Sequence, residues 1–137
     1  IVADSYQKKK SCRCNGVTLQ EIDKVLLKFI IMFDKEIIEK VWGKALPLMN
    51  YDSCYVRMDK CGALIYFEEY GNRKSEYGWE IDHIVPISKG GTDKIENLQP
   101  LQWENNVTKG DNCINVCKVK AENGHNRVVP YWDVLLE

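Results

Sequence analysis

Hydrophobic positions along the chain follow two periods, and the change from one to the other divides it. Residues 1–17 are polar and read as an extended lead-in. From Thr18 the spacing turns helical: Leu19, Ile22, Leu26 and Phe29/Ile30 share a face, with Thr18 as N-cap and Glu21 completing a capping box. Asp34 is a second N-cap candidate, opening "KEIIEKVWGKAL", where Ile37, Ile38, Val41 and Trp42 form one stripe. These are two helices or one kinked helix, and their stripes read as core. Pro47 and "MNYDSC" end the helical pattern. A segment rich in β-formers follows, with turns at Gly62, Gly71-Asn72 and Gly78 and a last strand at 79–84. Gly90-Gly91 predicts a turn, "IENLQPL" a second short strand limited by Pro100, and "QWENNVTK" about two helical turns closed by Gly110. Residues 113–120 fit a strand or a helical continuation. The tail "VVPYWDVLLE" carries an apolar patch expected to dock on the body.

Composition narrows the class. A chain of 137 residues is one ordinary domain with room for an appendage, and 45% hydrophobic with 28% charged residues describes a soluble globular protein. The longest apolar stretch, 26–33, is interrupted by Lys28 and far too short to span a membrane. The first residue is Ile1, which fits a processed form, an excised domain or part of a longer chain. A net charge of −1 does not advertise a nucleic-acid partner, although local basic patches can hide in such an average. Lys8-Lys9-Lys10 with Arg13 is one patch, and Arg57, Arg73, Lys74, Lys89 and Lys109 are scattered through the centre; singly, each reads as a solvated charge.

The six cysteines, at 12, 14, 54, 61, 113 and 117, lack the paired Cys-x-x-Cys spacing of a zinc site. Reduced, partly buried thiols are the leading expectation, with a disulfide or a four-thiolate zinc site as alternatives. Asn106-Val107-Thr108 is an N-glycosylation sequon, and a glycan there would block a residue singled out below. That favours a cytoplasmic or nuclear setting, with secretion left open.

The chemistry concentrates in the strand, loop, strand and helix of the centre. Asp82-His83 sets a hard oxygen ligand beside a group able to take a proton near neutral pH. Strict alternation would point the two to opposite faces, so they converge only if the strand ends there, as Pro86 permits. Asn97 follows fourteen residues after His83, and Asn106 nine residues later on the short helix. A carboxylate, an imidazole and two amides suit one divalent cation plus one general base, the set that phosphodiester hydrolysis needs. Taken alone, an Asp-His pair on a strand is more often a hydrogen-bonded structural pair; the spacing downstream raises the reading above that.

The pattern "EIDHIVPISKGGTDKIENLQPLQWENNVTKGDN", residues 80–112, resembles the motif of the HNH endonucleases, whose fold is the ββα-metal finger. A looser likeness to small stand-alone bacterial members runs over about 33–126. The resemblance implies an α+β fold: a ββα-metal core at about 79–110 in a nuclease domain spanning 33–126, with residues 1–32 as an added arm and helix and 127–137 as a docking tail. It also implies roles. Asp82 resembles the acidic metal ligand, His83 the general base, and Asn97 the asparagine that braces the loop and orients the histidine. Asn106 stands where the motif's second histidine would be, a metal ligand. An amide oxygen there implies Mg²⁺, with Mn²⁺ as a substitute, rather than a softer ion. Many relatives carry a zinc-binding cysteine pair at positions occupied here by Gln102 and Asn105, so structural Zn²⁺ is not expected at that place.

The resulting expectation is a metal-dependent endonuclease acting on DNA, RNA not excluded, with no membrane partner. Arg73, Lys89 and Lys109 are candidate phosphate contacts, and Glu80 and Glu104 could assist the metal, although solvated glutamates are commoner. His125 matches no part of the motif and reads as a surface or tail-packing residue. Two alternatives stand beside it: a nucleic-acid-binding or interaction module that has lost efficient catalysis, and a nuclease toxin or effector domain of a longer chain. A homodimer would cut both strands, but nothing in the sequence demonstrates one.

Overall fold

The computed structural model describes residues 34–113 and 116–130. The chain divides into two units after residue 33, and every described residue lies in the second. The helix expected over 19–33, the polar lead-in and most of the apolar tail fall outside the described residues.

Helix α1 (Lys35–Trp42) starts where expected: Asp34 caps it by accepting from the Glu36 amide at 3.4 Å. Its exposed face carries an i,i+4 pair, Lys40 to Glu36 at 2.7 Å, and its inner face ends in buried Val41 and Trp42. The helix stops at Gly43, whose amide bonds the Glu39 carbonyl, and so is shorter than the "KEIIEKVWGKAL" pattern. Trp42 anchors it, with ring centroids 5.4 Å from Phe67 and 5.2 Å from Trp79 and its indole N–H donated to the Ser53 carbonyl at 3.1 Å.

Strands β1 (Leu46–Pro47), β2 (Val56–Met58) and β3 (Leu64–Tyr66) form an antiparallel sheet in that order. Strands β4 (Trp79–His83) and β5 (Leu98–Gln102) form a separate antiparallel pair, in register from Trp79 opposite Gln102 to His83 opposite Leu98. Helix α2 (Trp103–Lys109) follows β5 directly. Strands β6 (Val119–Glu122) and β7 (His125–Val128) make a last hairpin, which settles the 113–120 ambiguity in favour of a strand from Val119. Asn126 ties that hairpin to the body, accepting from the Leu64 amide at 2.7 Å and donating to the Leu64 carbonyl at 2.8 Å.

The core lies where α1, β3 and the β4–β5 pair meet, with Val41, Ile65, Trp79, Leu98 and Leu101 fully enclosed. Each such side chain contributes roughly 1.5–3 kcal/mol by leaving water. Trp103 is only half-buried; its indole N–H is donated to the Ser75 carbonyl at 2.9 Å.

Two expectations are corrected. Residues 95–97, read as the start of the second strand, form a 3₁₀ turn, and β5 begins at Leu98. The reason is Asn97, whose side chain is committed to the loop described below while its amide closes the turn on the Lys94 carbonyl at 2.8 Å. The second correction concerns the cysteines. Cys61 and Cys117, 56 residues apart, form a disulfide, whereas Cys54 and Cys113 are exposed thiols. The β2–β3 turn and the segment before β6 are brought together, which no local spacing announces.

Candidate active site

Strand β4, the loop after it and helix α2 supply the candidate residues. Glu80 and Asp82, two apart on β4, both reach partners on α2, whose Asn106 and Lys109 are three apart on one helix face. Two parallel contacts result. Asn106 donates its amide N–H to Glu80 Oε2 at 2.7 Å, and Lys109 donates from Nζ to Asp82 Oδ1 at 3.0 Å.

Asp82 is held from both sides. Gln99, directly opposite on β5, donates to Oδ2 at 2.7 Å while the ammonium occupies Oδ1. The pair is withdrawn from solvent, with the Lys109 side chain 1% and that of Asp82 8% exposed. Lys109 also donates to the His83 carbonyl at 2.8 Å, so one ammonium closes both residues of the Asp-His step.

Glu80 is gripped by Arg73, whose Nε reaches Oε1 at 2.5 Å and Nη2 reaches Oε2 at 3.0 Å. Burial pushes the Glu80 carboxyl up, but the hydrogen bonds from Arg73 and Asn106 and the charge of Arg73 outweigh it and hold it below its ordinary value. An ionised carboxylate only accepts, so Asn106 must present its NH₂ to Glu80, and its Oδ1 is thereby turned away from Glu80.

The loop between the strands is stapled by Asn97. Its Oδ1 accepts from the Val85 amide at 2.9 Å, and its Nδ2 donates to the carbonyls of Val85 at 3.0 Å and Thr92 at 2.8 Å. Gly90 and Gly91 make that closure sterically allowed. Gly90 has φ of 86°, and a Cβ on Gly91 would sit 1.7 Å from the Val85 carbonyl oxygen. Asp93, next to the stapled Thr92, meets His83 Nε2 at 2.7 Å through Oδ1. An ionised carboxylate only accepts, so in this contact Nε2 is the donor. Asn97 thus acts on His83 through Thr92 and Asp93.

Asp82 and His83 open together on a cavity of about 170 Å³, walled also by Pro86, Ile87, Ser88, Lys109, Gly110 and Asp111. Asn106 is not among its walls and joins the site through Glu80. A larger cavity of about 300 Å³, lined by Lys44, Leu46, Lys60, Ile84, Leu98 and Pro100 among others, holds none of the candidate residues. The basic candidates differ in placement. Lys89 is exposed on the loop turn, Arg73 is 58% exposed but spends its fork on Glu80, and Lys109 is buried against Asp82.

A second buried carboxylate meets α2 one turn earlier, at Asn105. Asp59 accepts from the amides of Cys61 at 2.9 Å and Ala63 at 2.8 Å on Oδ1. On Oδ2 it accepts from the Gln102 amide and Asn105 Nδ2, both at 3.0 Å. Burial pushes its carboxyl up, against these four donors. Asn105 Oδ1 in turn receives the amides of Lys118 at 2.7 Å and Val119 at 2.9 Å, and Gln102 Oε1 caps α2 through the Glu104 amide at 2.7 Å. Gln102 and Asn105, where the resemblance would set a zinc-binding cysteine pair, are used in the hydrogen-bonded centre around Asp59.

Among the described residues no three His, Cys, Asp or Glu side chains converge to cage a metal. The two oxygen donors expected to hold a cation stand apart in these contacts: Asp82 opens on the cavity, whereas Asn106 is tied to Glu80. These are hard oxygen donors, and a carboxylate has about four lone-pair positions, of which Asp82 uses two in the bonds described. Such a sparse set fits Mg²⁺, which keeps several waters, better than an ion that needs a full protein cage.

Sequence reasoning did not find Gln99, Asp93 or Asp111. Strand register alone sets Gln99 opposite Asp82, so that partner could have been read from the hairpin. Asp93 carries no such signal, because its approach depends on the path of the loop.

Residues 61–112 match the family model described as HNH endonuclease, a span that contains every candidate site residue. No curated protein and no solved structure matches the chain.

Proposed function

We propose, from the premise that residues 61–112 form an HNH endonuclease domain, that the chain is a divalent-metal-dependent endonuclease hydrolysing phosphodiester bonds in DNA. The observation that carries the reading is the shared opening of Asp82 and His83 on one cavity, with the loop between the strands stapled by Asn97.

His83 is the general base. With Asp93 on Nε2, Nδ1 takes the proton from water, and that water's oxygen attacks the phosphorus. The bond from phosphorus to the 3′ oxygen breaks, the 3′ oxygen gains a proton from solvent, and the new end carries the 5′ phosphate. Asp82 and Asn106 hold one divalent cation, Mg²⁺ or Mn²⁺, which when bound neutralises charge on the phosphate and leaving oxygen. Glu80, oriented by Arg73, takes the NH₂ of Asn106 and so leaves its oxygen for that role. Asn97 keeps the loop closed, and Lys89 is the exposed cation best placed to meet the backbone of the substrate. The domain reading behind these roles is a nuclease unit at 33–126 with 1–32 added before it and 127–137 after it.

The test is a plasmid nicking assay in Mg²⁺ and in Mn²⁺. His83→Ala is expected to lower the cleavage rate by roughly 10²–10⁴-fold while leaving DNA affinity unchanged. Cleavage that survives both EDTA and His83→Ala overturns the reading. DNA binding by the wild type without turnover at any metal concentration favours the binding-module alternative, and preference for an RNA substrate moves the substrate class.

A further inference from the structure

The Lys109 ammonium sits on the one carboxylate that a catalytic cation would need. We propose that Lys109 is a resident counter-cation of Asp82, which a divalent ion must displace or share, so that this lysine sets the metal affinity of the site. The inference rests on the reading of Asp82 as a metal ligand.

Three features support it. Lys109 is the last residue of α2 and its side chain is 1% exposed, a burial that lysine rarely accepts unless paired. Its ammonium is satisfied by the two groups at the Asp-His step: Asp82 Oδ1 at 3.0 Å and the His83 carbonyl at 2.8 Å. It also walls the cavity that Asp82 and His83 share, so the ammonium is on the carboxylate where that carboxylate meets the cavity. A partner chosen only for structure could be neutral, as the four donors around Asp59 are. A charged, flexible side chain on one helix turn can instead withdraw when a better cation arrives.

Energetics fix the direction. Two cations on one carboxylate repel each other, and a carboxylate stripped of its ammonium gains more from a metal than a paired one does. Removing the lysine charge should therefore strengthen metal binding even as it weakens the metal-free fold.

Mn²⁺ binding by calorimetry, with no nucleic acid present, compares wild type with Lys109→Gln and Lys109→Met. Both variants should bind Mn²⁺ on the order of tenfold more tightly than wild type. Their melting temperatures should lie below the wild-type value without metal and rise more steeply with Mn²⁺. In wild type, the Lys109 ¹⁵Nζ resonance should lose its protection from exchange as Mg²⁺ is added. If wild type binds Mn²⁺ and both variants bind equally or more weakly, with the Nζ resonance unmoved, this inference falls and the nuclease reading stands. If neither wild type nor the variants bind Mn²⁺, the metal reading of Asp82 falls first and takes this inference with it. Should a variant be unfolded without metal, Mn²⁺-dependent recovery of its circular dichroism supports the proposal and failure to recover overturns it.

Discussion

Helix α2 reaches two buried carboxylates, one turn apart along its length, that are alike in burial and differ in their donors. Asp59 is enclosed by four neutral N–H donors, three from the backbone, and reaches no opening. Asp82 is held by a lysine ammonium and a glutamine amide and opens with His83 on a cavity. The helix serves the first with Asn105 and the second with Lys109, four residues later, while Asn106 faces Glu80. Burial alone therefore does not set the two acids apart. The donors do: rigid backbone amides cannot leave, whereas a long cationic side chain can.

The strongest way to break this contrast is to attack the Asp59 side through its disulfide. Cys61 donates its amide to Asp59, and Lys118-Val119, just past Cys117, dock on Asn105. Losing the Cys61–Cys117 link as a Cys61→Ser/Cys117→Ser variant should destabilise the fold by roughly 4 kcal/mol, the chain-entropy estimate for a closed loop of this length. Denaturant titration measures it, and Mn²⁺ affinity per folded molecule should stay unchanged. A loss of metal binding in the folded variant would merge the two centres into one.

Asp59→Ala comes next. It strands buried donors and should cost about 3 kcal/mol by the same titration, with cleavage by the folded fraction retained. Asp82→Asn is its opposite number: it should abolish Mn²⁺ binding in calorimetry while the Asp59 centre stays intact.

Acid separates the sides more gently. The Glu80 carboxyl is depressed below its ordinary value, so its contribution is complete above the unfolded-state value and is lost as pH falls through the lower folded-state one. Wild type should therefore lose stability on going below about pH 4.5 more steeply than Glu80→Gln, as melting temperatures across that range would reveal. Equal slopes would mean that the Arg73–Glu80–Asn106 chain has no energetic grip on Asn106.

The smallest effect is expected at Lys89. Lys89→Ala should weaken DNA binding slightly and lower the slope of log affinity against log salt by about 1, with metal binding untouched.

The disulfide also bears on location. Such bonds are commoner in oxidising compartments than in the cytosol, and the cytoplasmic or nuclear setting and secretion both stay open. Among the described residues no helix is long and apolar enough to cross a membrane.

Much of the site was legible because it is built locally. Asp82-His83 at a strand end, the Gly90-Gly91 closure and a two-turn helix ending at Gly110 follow from alternation, turn chemistry and capping over some thirty residues, while Asn97 as a loop brace came from the family resemblance. Where the local reading erred, at 95–97, the error was one of backbone state: an asparagine committed to its loop favoured a turn over a strand.

What the sequence by itself determined is the β4–loop–β5–α2 unit and the residue types it carries, because hydrogen-bond register and side-chain periodicity act between neighbours. Only the tertiary structure decided which of those residues meet. Lys109 on Asp82 across 27 positions, Asn105 on Asp59 across 46 and Cys61 with Cys117 across 56 are pairings set by how the elements pack. Periodicity can say that a lysine faces inward, but only packing can say that a carboxylate is waiting for it.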